Sequence, residues 1–162
     1  EDTHEIQAKH RHVLRLQARE SNSEGIGAIS IRELIRHALR MKPDRIFLGE
    51  VRGGDALDLF LALNTGHAGS GATIHGNSPN DIPNRIAALA MTIGIPREGA
   101  LALFASSIDL IIHLDGDRTG NRISSISQVV LDGANVAIQN IVEESHSFSI
   151  HDLAKLEKAL QK

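Results

Sequence analysis

The sequence predicts an α/β fold, a sheet with flanking helices that continues into an antiparallel strand extension and a C-terminal helix. Three observations carry this. Strand-like apolar segments alternate with segments of helical spacing. The run Ile46-Phe47-Leu48 stops at Gly49-Glu50, as a buried strand does at a sheet edge. Asp132-Gly133 is a hairpin turn signal between two strand-like segments.

In chain order, Val13-Leu14-Arg15-Leu16-Gln17-Ala18-Arg19 alternates apolar and polar residues and predicts a strand. Glu20 to Gly27 is polar and glycine-bearing, so a loop. Ser30 is placed to cap a helix, with Glu33 three residues on as the reciprocal partner. Ile31, Leu34, Ile35, Ala38 and Leu39 then form one apolar stripe, and Pro43 marks the stop. Arg32, Arg36 and Arg40 fall on another face, read as a solvated or interface face. The Ile46–Leu48 strand is expected in a buried sheet. Asp55 to Leu63 is apolar on nearly all sides and predicts a buried helix.

Gly71 to His75 predicts a second strand. Pro79-Asn80-Asp81 opens a helix through Ile93, Gly94-Ile95-Pro96 breaks it, and Arg97 to Ser107 makes another. Asp109–Leu114, Ile123–Leu131 and Val136–Val142 read as strands. Ser149 and Asp152 begin a last helix striped by Leu153, Leu156 and Leu160. Residues 1–131 are expected to form the body of the domain and 132–162 a terminal strand and amphipathic helix of the same domain.

The 162 residues suffice for one core. A net charge of -3 argues against a nucleic-acid surface, which is normally basic, and aromatics at 2% leave little for base stacking. No cysteine is present, which excludes disulfides and thiolate metal sites. No apolar run approaches the roughly 20 residues of a membrane span. These features point to a cytoplasmic or membrane-peripheral protein. The opening Glu1-Asp2-Thr3-His4-Glu5-Ile6 carries neither cap nor strand run and reads as the middle of something longer.

Glu50 is the first candidate for chemistry. A carboxylate at the C-terminal end of a buried strand lies where open α/β sheets bind ligands. Phosphoryl-transfer enzymes need a metal ion on the phosphates and a group that orients the attacking water. A carboxylate there serves either need, and holds Mg2+ directly or through a water. Gly49 permits close approach of another group. Arg52 is able to reach a phosphate, or to pair with Asp55 or Asp58. His67 and His75 bracket a glycine-rich turn, and a histidine hydrogen-bonds a phosphate in either protonation state. Each also reads as a polar side chain satisfied near a turn. A zinc site is disfavoured, since the nine histidines come without cysteine or a specific ligand spacing.

Gly66 to Thr73 nearly fits the phosphate-loop pattern G-x-x-x-x-G-K-[ST], but Ala72 stands at the lysine position. The order is also wrong. A phosphate loop runs strand, turn, helix, whereas here a helix precedes and a strand follows.

Four blocks in register resemble the secretion-superfamily ATPases of type II and type IV secretion and pilus assembly, most closely the type IV secretion and tight-adherence pilus branch. Glu1-Asp2-Thr3-His4-Glu5 resembles the aspartate box. Ile29 to Gly53 resembles the run through Walker B. Thr65 to Ser78 resembles the histidine box. Ile93-Gly94-Ile95-Pro96 and Ser107 to Leu114 resemble the segments that follow. Gly76 stands where alanine is common, and Gln128 where glutamate is.

The resemblance implies a RecA-like P-loop NTPase sheet, here without its first strand–loop–helix, and a motor that hydrolyses ATP with Mg2+. Glu1, Glu50 and His75 would be catalytic, with His75 at the γ-phosphate. Arg15, Arg19, Arg52 and His67 would be nucleotide-binding. Glu50 would hold the metal. The motor would form a homo-oligomeric ring, a hexamer, on inner-membrane secretion or pilus platform proteins at the cytoplasmic face, without direct nucleic-acid contact. With no Walker A segment among these residues, the chain alone is expected to be inactive. Two other readings stand beside this one: a non-catalytic oligomerisation module with a retained ATPase fold, and a histidine-based metalloenzyme.

Overall fold

A parallel β–α–β unit anchors the first part of the computed structural model, which describes residues 1–117, 120–133 and 135–143. The chain divides into two compact units, Glu1–His75 and a second that begins at Gly76.

In the first unit, helix α1 (Ile31–Arg40) starts as its sequence demands. The Ser30 hydroxyl accepts the Glu33 N–H at 3.2 Å, and the Glu33 carboxylate accepts the Ser30 N–H at 2.8 Å. Ile35 is buried, and Ile31, Leu34, Ala38 and Leu39 are half-buried. The residue before a proline is driven out of the helical region. Lys42, before Pro43, leaves the helix at a left-handed φ of 51°.

Strand β1 (Phe47–Leu48), helix α2 (Asp55–Leu63) and strand β2 (Gly71–Ala72) follow, with Phe47 opposite Gly71 and Leu48 opposite Ala72. The ladder runs on through Thr73 N–H to Leu48 O (3.3 Å) and Val51 N–H to Thr73 O (2.8 Å). Ser70 begins it. Its hydroxyl accepts the Ile46 N–H at 2.9 Å and donates to the His67 carbonyl at 2.6 Å.

Three sequence expectations are corrected here. Only Ile46 and Leu48 of the apolar run are buried; Phe47 alternates outward at 57% exposure, its ring over Gly71. Helix α2 buries Leu57, Leu59, Phe60 and Ala62 but exposes Leu61, so one face is wet. The Val13–Arg19 strand is reduced to a single bridge, Arg19 with Ile29. Its period-2 pattern is real, but a strand needs a neighbour along its length. Among the described residues its other backbone pairing is with Glu1, whose N–H donates to Leu16 O and whose carbonyl accepts the Ala18 N–H, both at 2.9 Å. Val13 and Leu14 stay exposed.

The second unit opens with a 3-10 turn, Pro79–Asp81, leading into α3 (Ile82–Met91) and then α4 (Arg97–Ser107), which packs on α3. Gly94 takes a φ of 78° between the helices. An antiparallel sheet follows, β3 (Leu110–Asp117), β4 (Gly120–Asp132) and β5 (Asn135–Glu143), in that order. Gly133, at φ 61°, makes the predicted turn between the last two strands. Helix α4 packs on β4 and β5, and Ile82, Ile86, Ala90, Ala100, Leu101, Phe104, Val129 and Ile141 are buried. Both hairpin strands extend beyond their predicted ends. The helix predicted from Ser149 lies outside the described residues.

Candidate active site

The parallel pairing of β1 and β2 brings their C-terminal ends to one edge of the first unit. Glu50 follows β1 by two residues, and His75 follows β2 by three. The backbone between is tied down: the Thr73 hydroxyl donates to the Gly49 carbonyl, and the Val51 N–H donates to the Thr73 carbonyl. The side chains consequently meet. His75 Nε2 lies 3.2 Å from Glu50 Oε1. Arg52 binds the other oxygen, Oε2, with Nε at 2.6 Å and Nη2 at 2.5 Å. Its Nη1 lies 3.6 Å from Asp2 Oδ2.

Glu1 joins from the other side. Its side chain lies against Gly49 so closely that a Cβ there would sit 3.0 Å from Glu1 Cγ. Its Oε1 accepts two backbone N–H groups, from Ile6 at 2.9 Å and Glu5 at 3.1 Å. His4 Nδ1 lies 3.7 Å from Oε2. The Ile6 N–H holds the Glu1 carboxyl below its ordinary range, the Glu5 N–H adds to this, and desolvation works against both. Hydrogen bonding to Glu50 pushes the Arg52 guanidinium further into its charged form. The cluster thus sets the Glu1, Asp2 and Glu50 carboxylates beside the Arg52 guanidinium and the exposed His75 ring.

Of the residues the sequence singled out, the structure gathers Glu1, Glu50, Arg52 and His75. It does not gather the others. Arg19 donates from Nε to the Gly27 carbonyl at 2.6 Å, and Arg15 is exposed. His67 is half-buried, with Nδ1 3.0 Å from the Ala62 carbonyl at the end of α2, so that ring nitrogen carries a proton and the ring closes the helix. The partner expected for Arg52 is also corrected. Asp58 faces Arg32, whose Nε lies 2.6 Å from Asp58 Oδ2 in an ion pair without an aligned N–H, and this links α1 to α2. Of the two readings of that face, solvated or interface, Arg32 takes the second, between α1 and α2.

Sequence reasoning missed Asp2 and Thr73 as members of the site. Asp2 is one position from Glu1, but only the fold brings it to Arg52. The signal for Thr73 was available, since parallel register from Gly71 carries position 73 alongside Gly49. Among the described residues, no group of three or more His, Asp and Glu side chains is arranged to hold a metal by itself. No helix among them is long and apolar enough to cross a membrane.

Comparison with known proteins matches residues 1–159 to the family described as type II/IV secretion system protein. A Mycobacterium tuberculosis protein named for conjugal transfer is 44% identical over 122 residues, covering 75% of this chain and 35% of its own length. The VirB11 protein of Agrobacterium fabrum is 32% identical over 116 residues, covering 69% of this chain and 33% of its own. The crystal structure of the VirB11 ATPase from the Brucella suis type IV secretion system, in complex with sulphate, superposes with a TM-score of 0.56 at 31% identity, over 62% of this chain and 32% of that one. The chain thus spans about a third of the length of the relatives it matches.

Proposed function

The chain belongs to the type II/IV secretion system protein family, on its type IV branch, and we propose that it is the C-terminal part of an ATP-hydrolysing motor subunit for such a secretion or pilus machine. The observation that supports this best is the placement of Glu50. Its carboxylate stands just beyond a parallel strand, between an arginine and a histidine, with Glu1 packed on the adjacent glycine.

In this reading the sheet is RecA-like, and residues 1–131 and 132–162 belong to the same ATPase domain. Glu50 accepts the proton of, or orients, the water that attacks the γ-phosphate. His75, exposed at the same edge, donates a hydrogen bond to that phosphate. Glu1 holds charge and water beside Gly49. Arg15 and Arg19 act on nucleotide only when brought there by ring assembly, and His67 supports the turn before β2.

The residues present fit a magnesium nucleotide. Glu50 follows Gly49 in the chain and Glu1 packs against that glycine, so carboxylates, the donor type Mg2+ takes, come from both segments, and Mg2+ would draw its remaining ligands from water and phosphate. When bound, Mg2+ neutralises charge that develops on the phosphates. The full-length protein would form a homo-oligomeric ring, a hexamer, docked on inner-membrane platform proteins at the cytoplasmic face.

The test is Mg2+-dependent ATP binding and turnover by these 162 residues and by the full-length protein. Activity in the full-length protein alone is expected. Activity in neither would favour a non-catalytic oligomerisation module that keeps the fold.

A further inference from the structure

We propose that Thr73 is a positioning residue for the reaction: its hydroxyl pins the carbonyl of Gly49 and so sets where the chain that carries Glu50 turns away from β1. The inference rests on the proposed role of Glu50.

Register and hydrogen bonding carry it. Phe47 lies opposite Gly71 and Leu48 opposite Ala72, which puts Gly49 across from Thr73. The Thr73 N–H donates to Leu48 O at 3.3 Å, as an even parallel ladder requires. That ladder would return the next bond from the N–H of residue 50. Here it comes from Val51, whose N–H lies 2.8 Å from Thr73 O. The chain therefore carries one extra residue between the two bonds, and an extra residue of this kind re-aims the side chains beside it. Glu50 is one of them.

An extra residue interrupts the pairing on which it sits, so the turn needs another tie. The Thr73 hydroxyl supplies one by donating to Gly49 O. Thr73 thus holds Leu48, Gly49 and Val51 at once, while the Glu1 side chain lies against the same glycine. Two residues beyond Thr73, His75 Nε2 meets Glu50 Oε1 at 3.2 Å. The segment that presents the histidine also grips the turn that presents the glutamate.

Rate and stability are separable at this position. Thr73 is exposed, so water competes for the hydroxyl and the carbonyl alike, and their bond adds little net stability. Valine matches threonine in shape and strand preference and lacks only the hydroxyl. Thr73→Val and Thr73→Ser are compared with the unchanged full-length protein for kcat, nucleotide Kd and melting temperature. Thr73→Val is expected to lower kcat by roughly 10- to 100-fold, a range reached when a reacting group is misplaced by about 1 Å. Kd and melting temperature stay nearly unchanged. Thr73→Ser keeps the hydroxyl and recovers most of the rate.

A Kd that rises in proportion to the loss of rate would overturn the proposal, because it would make Thr73 a nucleotide ligand. A matching fall in melting temperature would overturn it too, by making the role structural. So would wild-type kcat in Thr73→Val, or a Thr73→Ser protein as slow as Thr73→Val. Glu50→Gln serves as the control. If that variant hydrolyses ATP normally, the reading of Glu50 has failed and this inference falls with it. If Glu50→Gln is inactive and Thr73→Val is fully active, the failure belongs to the positioning role alone.

Discussion

The side chain of Glu1 rests on the bare Cα of Gly49: a Cβ built there would lie 3.0 Å from Glu1 Cγ and 3.3 Å from its Oε1. That contact joins two parts of the site 48 positions apart in the chain. Its consequence is that Gly49 is required for space. The residue needs no left-handed conformation, so alanine fits its backbone and only the neighbour has to move. Gly49→Ala is expected to keep the fold and melting temperature nearly intact while displacing the Glu1 carboxylate. Turnover should fall severalfold with little change in nucleotide affinity, measured by steady-state hydrolysis alongside equilibrium binding.

His75 sits at 81% side-chain exposure, with Nε2 3.2 Å from Glu50 Oε1. A histidine so placed is free to engage a ligand. His75→Ala should slow hydrolysis by about 10-fold or more, in the range of a lost proton-transfer or hydrogen-bonding group, with a smaller effect on ATP binding. Unchanged turnover would make the residue structural.

Much of this was legible in the sequence because local signals agreed with the fold. The helix at Ile31–Arg40 carried its capping box, its stripe and its proline stop. The α2 and α4 boundaries followed from apolar spacing and the breakers that flank them. Gly49 was readable as a point of close approach, although the group that approaches it was not.

The rest depended on partners that spacing cannot supply. The alternation at Val13–Arg19 could not reveal that only Arg19 and Ile29 would pair. Arg52 has acidic neighbours in sequence, but a parallel β–α–β turn aims it back at Glu50 and across to Asp2. The role of His67 at the α2 C-terminus required knowing where the Ala62 carbonyl points.

Stability should follow the helix caps and the core. Ser30→Ala removes one half of a reciprocal pair and is expected to cost about 1 kcal/mol. Leu59, fully buried in α2, should cost roughly 2–5 kcal/mol when cut to alanine. Denaturant titrations of both variants measure these values. Equal losses at the two sites would contradict the assignment of Leu59 to a packed core.

The pH dependence has a definite sign. Glu1 and Glu33 are both held below the ordinary glutamate value of 4.5, by N–H groups of Ile6 and Ser30 respectively. A depressed carboxyl favours the fold above that value, and the contribution is lost as pH falls through the lower folded-state pKa. Both groups are largely open to solvent, so the effect is small and salt-sensitive. The denaturation midpoint should drop on acidification below pH 4.5, and Glu33→Gln should flatten part of that drop. An identical profile in the variant would remove Glu33 from the account.

The central claim is that Glu50 does chemistry rather than holding the fold. The most direct measurement is ATP binding and turnover by the full-length protein carrying Glu50→Gln, which keeps the size of the side chain and removes its charge. The account predicts that ATP still binds with Mg2+ while hydrolysis is abolished. Hydrolysis near the wild-type rate would contradict it.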